Sequence, residues 1–316
     1  MSKTAFLYPG QGVQTPGMGA DFYRNSASAR AVFDEASAAL GMDMRALCFE
    51  NNDRLDQTEY TQAALVTLYL AQTRVLTEAG ILPDVTAGLS LGEYAALAVS
   101  HAMQEQDAIR LVRRRGILMQ NAVPDGSGAM CAVLGMKEAA VEEVLAEREG
   151  VFIANYNCPG QLVITGVRSA VEEAAEALRA SGARRTVMLN VSGPFHSPLL
   201  AGAAEELERE LLQTPFSDPD IPYLTNVTAQ PVTEKEPIRA LLAQQICAPV
   251  RWMQSMQRML ANGVDTFVEI GAGKTLAGFL RKLDRNVNVY PVTTWEEAQI
   301  VIAKLEARDK KLWRSA

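Results

Sequence analysis

Short apolar runs alternate with longer segments of helical periodicity along most of this chain. Thr4–Tyr8 and Val85–Leu89 are compact apolar runs, and each predicts a buried strand that leads into a glycine-containing loop. Gln62–Ala79, Gly92–Val99 and a segment from about Asp107 to Asn121 have the apolar periodicity of helices. Strands that alternate with helices in this way predict an α/β fold with a parallel sheet.

Residues 128–190 have a different pattern from the rest of the chain. They predict six short elements in the order β-α-β-β-α-β, which is the ferredoxin-like order. These elements are Ala129–Leu134, Lys137–Arg148, Val151–Asn157, Gln161–Thr165, Ala170–Ala180 and Arg185–Asn190. We therefore expect this segment to form a small subdomain inserted into the larger α/β unit.

The α/β pattern resumes beyond Pro194. The elements predicted there are the helices Leu199–Gln213, Ile238–Gln245 and Trp252–Ala261 and the strands Pro222–Asn226 and Thr266–Ile270. The predicted division is a large domain at 1–127 and 191–307, the small subdomain at 128–190, and a polar, frayed tail at 308–316.

Composition narrows the possible function classes. The 316 residues are 48% hydrophobic and 21% charged, as in ordinary soluble globular proteins. A net charge of −7 argues against a general nucleic-acid-binding protein.

The apolar run Ala5–Tyr8 is too short for a signal sequence or a membrane span, so we expect no membrane partner and a cytoplasmic location. Four scattered cysteines lack metal-site spacing, which predicts reduced thiols and no metal centre: Cys48, Cys131, Cys158 and Cys247.

The pentapeptide Gly88–Gly92 has the G-x-S-x-G pattern between a predicted strand and a predicted helix. In that context the pattern predicts a nucleophile elbow, a sharp turn that lifts the Ser90 hydroxyl above the sheet. The Leu91 amide then points at the same place and can donate to an oxyanion. The alternative is a glycine-rich turn that only packs tightly. With the elbow, the fold prediction becomes an α/β-hydrolase-like large domain with a parallel sheet and an inserted ferredoxin-like subdomain.

A serine nucleophile needs a base, and the chain contains two histidines. His101 follows the elbow helix, about 15 Å from Ser90 at a rise of about 1.5 Å per residue, which is out of reach. His196 lies in a proline-bounded loop just after the inserted subdomain, where a cleft between the two units is expected. We therefore expect His196 to be the base.

Arg115 lies at an unexpected position on the predicted helix near residues 109–119. On a helical wheel it falls in the middle of the apolar arc, whereas Arg113 and Arg114 fall outside it. A buried guanidinium needs an anionic partner. That partner is either an internal carboxylate or the carboxylate of a substrate, and the second option implies a dicarboxylic acyl group.

Gly271–Thr275 ends like a phosphate-binding P-loop, with the sequence Gly-Ala-Gly-Lys-Thr. The P-loop pattern also requires a glycine five positions before Gly273, where this chain has Val268. We therefore predict a strand-to-helix turn and no nucleoside triphosphate site.

Together these residues resemble the malonyl-CoA:acyl carrier protein transacylase family of bacterial fatty-acid synthesis. The matching motifs occur in the same order as in the family and extend over nearly the whole chain. Its motifs are Phe6–Gly12, Gly88–Tyr94, Arg115-Gly116, Met119-Gln120, Val123–Gly126, Asn155–Gln161, Phe195-His196, Gln245 with Pro249, and Glu269–Lys274.

The resemblance implies a role for each matching residue. Ser90 would be the nucleophile and His196 the base, with the Gln11 and Leu91 amides as the oxyanion hole. The Gln245 backbone carbonyl would orient His196 in place of an aspartate. Arg115 would bind the malonyl carboxylate. The remaining substrate-binding positions implied are Gln62, Asn157, Gln161 and Phe195, the last of which favours malonyl over methylmalonyl. Leu89 departs from the family, because many members have histidine there.

The implied reaction transfers malonyl from CoA to the phosphopantetheine thiol of acyl carrier protein through a malonyl-serine. The partners would be malonyl-CoA and the carrier protein; the CoA thioester is a substrate and no cofactor is expected. Family members imply a monomer. The alternatives are a stand-alone polyketide acyltransferase, a serine esterase or thioesterase, and a non-catalytic scaffold of the same fold.

Overall fold

The computed structural model describes residues 2–191 and 193–315. The strands are β1 (Lys3–Tyr8), β2 (Val85–Gly88), β3 (Gly128–Leu134), β4 (Val151–Cys158), β5 (Gln161–Val167), β6 (Arg185–Met188), β7 (Tyr223–Leu224), β8 (Pro231–Val232), β9 (Val264–Ile270) and β10 (Asn288–Val292). The helices are α1 (Ala20–Asn25), α2 (Ala27–Leu40), α3 (Met44–Phe49), α4 (Thr58–Glu78), α5 (Gly92–Val99), α6 (Glu105–Gln120), α7 (Glu138–Ala146), α8 (Arg168–Ala180), α9 (Ala201–Gln213), α10 (Ile238–Gln245), α11 (Trp252–Ala261), α12 (Thr275–Leu283) and α13 (Trp295–Ser315).

The larger sheet has the strand order β10-β9-β1-β2-β7-β8. Five of its strands are parallel, and only the short edge strand β8 is antiparallel to its neighbour. Residues 4–8 of β1 are fully covered, as expected for a central strand with helices on both faces. The parallel sheet is confirmed. The strand predicted at Pro222–Asn226 is shorter, and β10 was not predicted.

The second sheet has the order β4-β5-β3-β6, and every neighbouring pair is antiparallel. Together with α7 and α8 it completes the β-α-β-β-α-β order, so the ferredoxin-like fold is confirmed. Many of its apolar side chains form a core of their own, whereas Met130, Ala154 and Val163 pack into a core of the large domain. The division at residues 127 and 190 remains a prediction.

The two sheets meet through strand β4. Val250, just before α11, donates its amide to Ala154 O at 2.8 Å and accepts the amide of Tyr156 at 2.9 Å. The segment that enters α11 therefore runs beside β4 as a short extra strand. This pairing places the end of β4, including Asn155 and Asn157, over the carboxyl ends of the large parallel sheet, where ligands bind in open α/β folds.

The polar tail predicted at 308–316 differs in the structure. The backbone through Ser315 continues α13, and Ala316 lies outside the described residues. Arg308 donates to the hydroxyls of Ser2, Thr4 and Thr266, which ties this helix to β1 and β9. The polar composition suggested a frayed end. It could not reveal the helix, because the contacts that hold Arg308 come from residues far away in sequence.

Helix α4 is covered on nearly all sides and runs through the core of the large domain. Two of its buried threonines, Thr67 and Thr73, donate to backbone carbonyls one turn earlier, so their hydroxyls are satisfied inside the helix. Across the ranges that the structure describes, no helix has both the length and the apolar character needed to cross a bilayer.

Two glycines allow the turn between β2 and α5 to lie against β1. A Cβ on Gly88 would lie 1.8 Å from the carbonyl carbon of Gly92, and a Cβ on Gly92 would lie 2.3 Å from the Tyr8 oxygen. Neither backbone atom can move without disrupting the start of α5 or the end of β1. The glycines of the pentapeptide are therefore required by close backbone approach, and they bring Ser90 next to the loop after β1.

Replacing Gly88 with alanine should destabilise the protein by at least about 3 kcal/mol, because the new methyl overlaps backbone. Gly278→Ala is the matched control, since its Cβ would meet nothing within 4 Å in α12. That change should raise stability by about 0.4–1 kcal/mol. Urea unfolding of both variants tests the pair. A Gly88→Ala protein as stable as the wild type would contradict the close packing.

Candidate active site

Ser90 occupies the elbow with a strained backbone. Its φ of 54° lies in the left-handed region, which non-glycine residues rarely adopt. The Asn226 side chain holds this conformation: it accepts the Ser90 amide at 2.6 Å and donates to Gly88 O at 2.6 Å. The sequence analysis missed Asn226, although this residue ends the segment predicted as a strand at Pro222–Asn226, which pairs with β2 in the structure. Parallel strand ends meet at one edge, and that was the available signal.

His196 is the histidine that reaches the elbow. Its Nε2 lies 2.7 Å from Ser90 Oγ, and its Nδ1 lies 2.8 Å from the backbone oxygen of Gln245. A carbonyl only accepts, so Nδ1 carries the proton and Nε2 accepts the serine hydroxyl. His101 instead lies exposed beside Asp220, 3.0 Å away, as expected for a surface residue.

The environment keeps His196 neutral. Burial, followed by the positive charge of Arg115, lowers the pKa of His196 to about 4, and backbone hydrogen bonds oppose the shift. The imidazole is therefore unprotonated at neutral pH and can accept a proton. Gln245 orients the ring through a neutral carbonyl, so no carboxylate raises its basicity.

Arg115 is fully buried, as the helical wheel predicted. It donates to Gln62 Oε1 at 2.7 Å, to Gln245 Oε1 at 2.9 Å and to Ser90 Oγ at 3.0 Å. Its Nε has no hydrogen-bond partner, and among the described residues no carboxylate lies within ion-pairing distance. Burial lowers the pKa of this guanidinium. Of the two partners considered from the sequence, a directly paired internal carboxylate is absent from the described structure.

Gln62 and Gln11 approach the same place from different elements. Gln62, in α4, is buried and accepts from Arg115, while its Nε2 lies 3.7 Å from Met119 Sδ. Gln11 follows β1 and donates its side chain to Thr58 at 3.2 Å. Within the described residues, the backbone amides of Gln11 and Leu91 donate to no protein acceptor. Both amides are therefore free to bind an anion.

Below the elbow lies a buried carboxylate that the sequence did not identify. Glu93 is fully covered, and its Oε2 accepts from Gln245 Nε2 at 2.6 Å and from the Asn226 amide at 3.2 Å. Burial raises the pKa of Glu93 to about 7, against the opposing effect of these hydrogen bonds. Gln245 Nε2 also donates to Ser90 O at 3.0 Å. A single glutamine therefore connects the nucleophile, the base, Arg115 and Glu93.

Known proteins resemble this chain over nearly its whole length. The family model described as an acyl transferase domain matches residues 5–300. The malonyl CoA-acyl carrier protein transacylase of Bacillus subtilis is 43% identical over 97% of this chain and 98% of its own length. The chain belongs to the acyl transferase domain family.

Two solved structures extend the comparison. The malonyl CoA-acyl carrier protein transacylase of Clostridium perfringens superimposes with a TM-score of 0.95 at 39% identity, with 100% of both chains covered. A malonyl-transacylase solved in complex with its type II PKS acyl-carrier protein superimposes with a TM-score of 0.91 at 36% identity, covering 96% of this chain and 100% of that one. The acyl transferase fold therefore extends over the full described length.

The cleft of this acyl transferase domain has a volume of about 180 Å³ and opens above Ser90. Asn157 and Phe195 line it, and Asn157 Oδ1 is buried without a partner. Gln161 lies outside the lining and accepts from Lys282 at 3.1 Å. The structure thus brings Asn157 and Phe195 to the site, whereas Gln161 links the small subdomain to α12. The position that departs from the family pattern, Leu89, lies in the cleft wall.

A larger cavity, of about 560 Å³, lies away from the elbow. Its arginine, Arg74, already pairs with Glu35 at 3.2 Å and with Glu105 at 2.6 Å. None of its lining residues belongs to the serine–histidine pair. We therefore assign the chemistry to the smaller cleft.

The partial P-loop pattern at Gly271–Thr275 is a strand-to-helix turn, as predicted. Both carboxylate oxygens of Glu269 accept amides at the start of α12, from Leu276 at 2.9 Å and Ala277 at 2.7 Å. The Glu269 carboxyl group therefore occupies the position where a phosphate would bind. Lys274, at the end of the pattern, pairs with Glu297 at 2.8 Å.

The pKa of His196 gives a pH prediction for Ser90 reactivity. The base works only when neutral, so labelling of Ser90 by a fluorophosphonate should stay nearly constant from pH 8 to 5 and fall toward pH 4. Arg115→Ala removes one cause of the lowered pKa of His196. The fall in labelling at acid pH, the acid limb of the profile, should therefore move to higher pH.

Arg114→Ala is the charge-matched control, because Arg114 lies on the same helix and pairs with Glu210 at the surface. It should leave the limb in place. The same series in a Glu93→Gln background removes the titration of Glu93 from the profile. An unchanged limb in Arg115→Ala would contradict the electrostatic coupling of Arg115 to His196.

Proposed function

We propose that this chain transfers a malonyl group from coenzyme A to the phosphopantetheine thiol of an acyl carrier protein, through a malonyl ester of Ser90. One observation carries the proposal. Ser90 Oγ lies 2.7 Å from His196 Nε2 and 3.0 Å from the Arg115 guanidinium. A nucleophile, a base and a cation without an ion-pair partner meet at one oxygen, as the transfer of a carboxylate-bearing acyl group requires.

In the first half-reaction, His196 Nε2 takes the Ser90 proton while Ser90 Oγ attacks the thioester carbonyl. The Gln11 and Leu91 amides donate to the oxyanion that forms. The bond from carbonyl carbon to sulfur then breaks, and the departing CoA thiolate takes the proton from His196. The products are free CoA and malonyl-Ser90.

The second half-reaction runs the same steps in reverse with a different thiol. The carrier's phosphopantetheine thiol gives its proton to His196 and attacks the ester carbonyl. The same two amides hold the oxyanion, and Ser90 leaves and recovers the proton. No metal or redox group takes part in this scheme; the CoA thioester serves as a substrate, and we propose that no further cofactor is needed.

Arg115 selects the acyl group in this proposal. A guanidinium binds a carboxylate through two parallel hydrogen bonds, which fixes both its position and its orientation. In the structure the Arg115 donors are engaged only by neutral acceptors, so a malonyl carboxylate can replace the contact to Ser90 Oγ. Gln62 and Gln245 then keep the guanidinium in place from below. An acetyl group offers nothing to replace the lost contact.

The identity of the carrier has two candidates. Fatty-acid synthesis is the function we propose, because the Bacillus subtilis relative is a malonyl CoA-acyl carrier protein transacylase of nearly the same length. The relative solved with a type II PKS carrier protein favours polyketide synthesis as the second candidate. Hydrolysis fits less well, because serine hydrolases of the elbow type orient the histidine with a carboxylate and here a carbonyl does so.

We propose that the protein works in the cytoplasm as a monomer, with malonyl-CoA and an acyl carrier protein as its partners. Asn157 and Phe195, which line the cleft, are proposed to contact the acyl group or the pantetheine arm. Gln161 is proposed to contact the substrate at the outer edge of the cleft, where its side chain accepts a hydrogen bond from Lys282.

Incubation with malonyl-CoA should add one malonyl group to the protein, visible by intact mass. Adding holo acyl carrier protein should then remove it. His196→Ala should slow the acylation on the order of 10²- to 10⁴-fold, because the proton has no acceptor. Ser90→Ala should give no adduct, whereas Ser100→Ala, at the far end of α5, should react like the wild type. An adduct on Ser90→Ala, or rapid hydrolysis without a thiol, would contradict the proposal.

Arg115→Ala should reduce transfer from malonyl-CoA on the order of 10²-fold and raise the relative activity on acetyl-CoA, because a buried malonyl carboxylate then lacks its partner. The measurement is kcat/KM for both thioesters in each variant. Arg114→Ala supplies the matched control and should retain the preference for malonyl. Retained malonyl preference in Arg115→Ala would show that Arg115 is structural.

A further inference from the structure

The Arg115 guanidinium is held by neutral groups, yet a carboxylate lies one residue away in the hydrogen-bond network. Gln245 accepts from Arg115 through Oε1 at 2.9 Å and donates through Nε2 to Glu93 at 2.6 Å. Both Arg115 and Glu93 are fully buried. The guanidinium and the carboxyl group are therefore linked through one neutral amide and not by direct contact.

This arrangement fixes the orientation of the Gln245 amide. Arg115 can only donate, and the backbone oxygen of Ser90, to which Gln245 Nε2 also donates at 3.0 Å, can only accept, so a single orientation of the amide satisfies both. In that orientation the amide oxygen faces Arg115 and the amide nitrogen faces Glu93. The Asn226 amide donates to the same Glu93 oxygen at 3.2 Å, which anchors the carboxylate from the other side.

The interposed amide also explains how the cation stays available. A direct ion pair with Glu93 would engage the guanidinium with the kind of group that the substrate must provide. With Gln245 in between, the Arg115 donor next to Ser90 Oγ is not covered by an anion. Two polar atoms at the ends of this network, Arg115 Nε and Glu93 Oε1, have no partner.

We propose that Glu93 is a positioning residue for dicarboxylic acyl groups, because it holds the Gln245 amide that aligns Arg115 toward Ser90. This inference rests on the proposed malonyl transfer. Glu93 does not touch the substrate. It acts only through Gln245 and Arg115, so its loss should affect malonyl acylation far more than acetyl acylation.

Two substitutions separate the hydrogen-bond role from general disruption. Glu93→Met keeps a similar volume and removes the acceptor, whereas Glu93→Gln keeps an oxygen for the Gln245 and Asn226 donors. The readout is the single-turnover rate of Ser90 acylation by malonyl-CoA and by acetyl-CoA, without carrier protein. Glu105→Gln is the matched control, because Glu105 pairs with an arginine, Arg74, and begins the helix that carries Arg115.

In Glu93→Met the ratio of malonyl to acetyl acylation should fall on the order of 10- to 100-fold, the size of a lost hydrogen bond to a charged group. Glu93→Gln should keep the ratio within about threefold of the wild type, as should Glu105→Gln. An equal loss for both thioesters in Glu93→Met would overturn the inference, because a merely structural role lowers both rates together.

A double-mutant cycle tests whether Glu93 acts through Arg115. In an Arg115→Ala background, Glu93→Met should no longer change the malonyl-to-acetyl ratio. A further drop of the same size would mean that Glu93 acts by another route. Gln245→Met provides a second test if Glu93→Met does not fold. It keeps the carbonyl that orients His196 and should lower the ratio as Glu93→Met does; an unchanged ratio would also overturn the inference.

Malonyl transfer and the positioning role of Glu93 are contradicted by different results. If the wild-type protein forms no malonyl-Ser90, the proposed function is wrong. If the wild type forms the adduct and the Glu93→Met and Gln245→Met ratios match the wild type, only the role of Glu93 is wrong. Thermal unfolding of each variant shows that the compared proteins are folded.

Discussion

A buried guanidinium without an anionic partner is the constraint on which this site depends. Removing an ionised group from water costs several kcal/mol, and Arg115 recovers part of that cost from three hydrogen bonds to neutral acceptors. Each acceptor comes from a different element: Gln62 from α4, Gln245 from α10 and Ser90 from the elbow. The large domain must therefore be fully assembled before the cation has its position, and the site tolerates little displacement of these three elements.

After burial, the same charge is the second cause of the low basicity of His196. Arg115 helps to keep the pKa of His196 at about 4, well below the value that suits a base at neutral pH. A malonyl carboxylate bound to Arg115 would offset this charge, so the pKa of His196 should rise when an acyl group with a carboxylate binds. Recognition and activation then depend on one electrostatic interaction. An acyl group without a carboxylate would leave Arg115 without an ion-pair partner. The pKa of His196 would then stay low, so the base that activates Ser90 would be weaker.

The sequence predicted those parts of the site that local patterns determine. The elbow follows from a strand, two glycines and a helix, and the burial of Arg115 follows from helical periodicity. Asn226 and Glu93 could not be found in this way, because contacts across more than 130 residues give them their roles. Gln161 shares a family motif with Asn157, but the turn between β4 and β5 directs it to Lys282. The helical end of the chain was missed for the same reason, since distant hydroxyls hold Arg308.

Two strand-to-helix turns of the same sheet show what makes one of them reactive. At the turn after β9, Glu269 accepts amides at the start of α12, so that helix start is already filled by a carboxyl group. At the turn after β2, Asn226 accepts only the Ser90 amide, and the Leu91 amide remains unbonded to protein in the described structure. The carboxylate of this second turn, Glu93, lies beneath the elbow and binds Gln245 instead of the helix start. Because the Glu93 carboxyl group lies one layer deeper, the Leu91 amide stays free for an oxyanion and the Arg115 cation stays free for a substrate carboxylate.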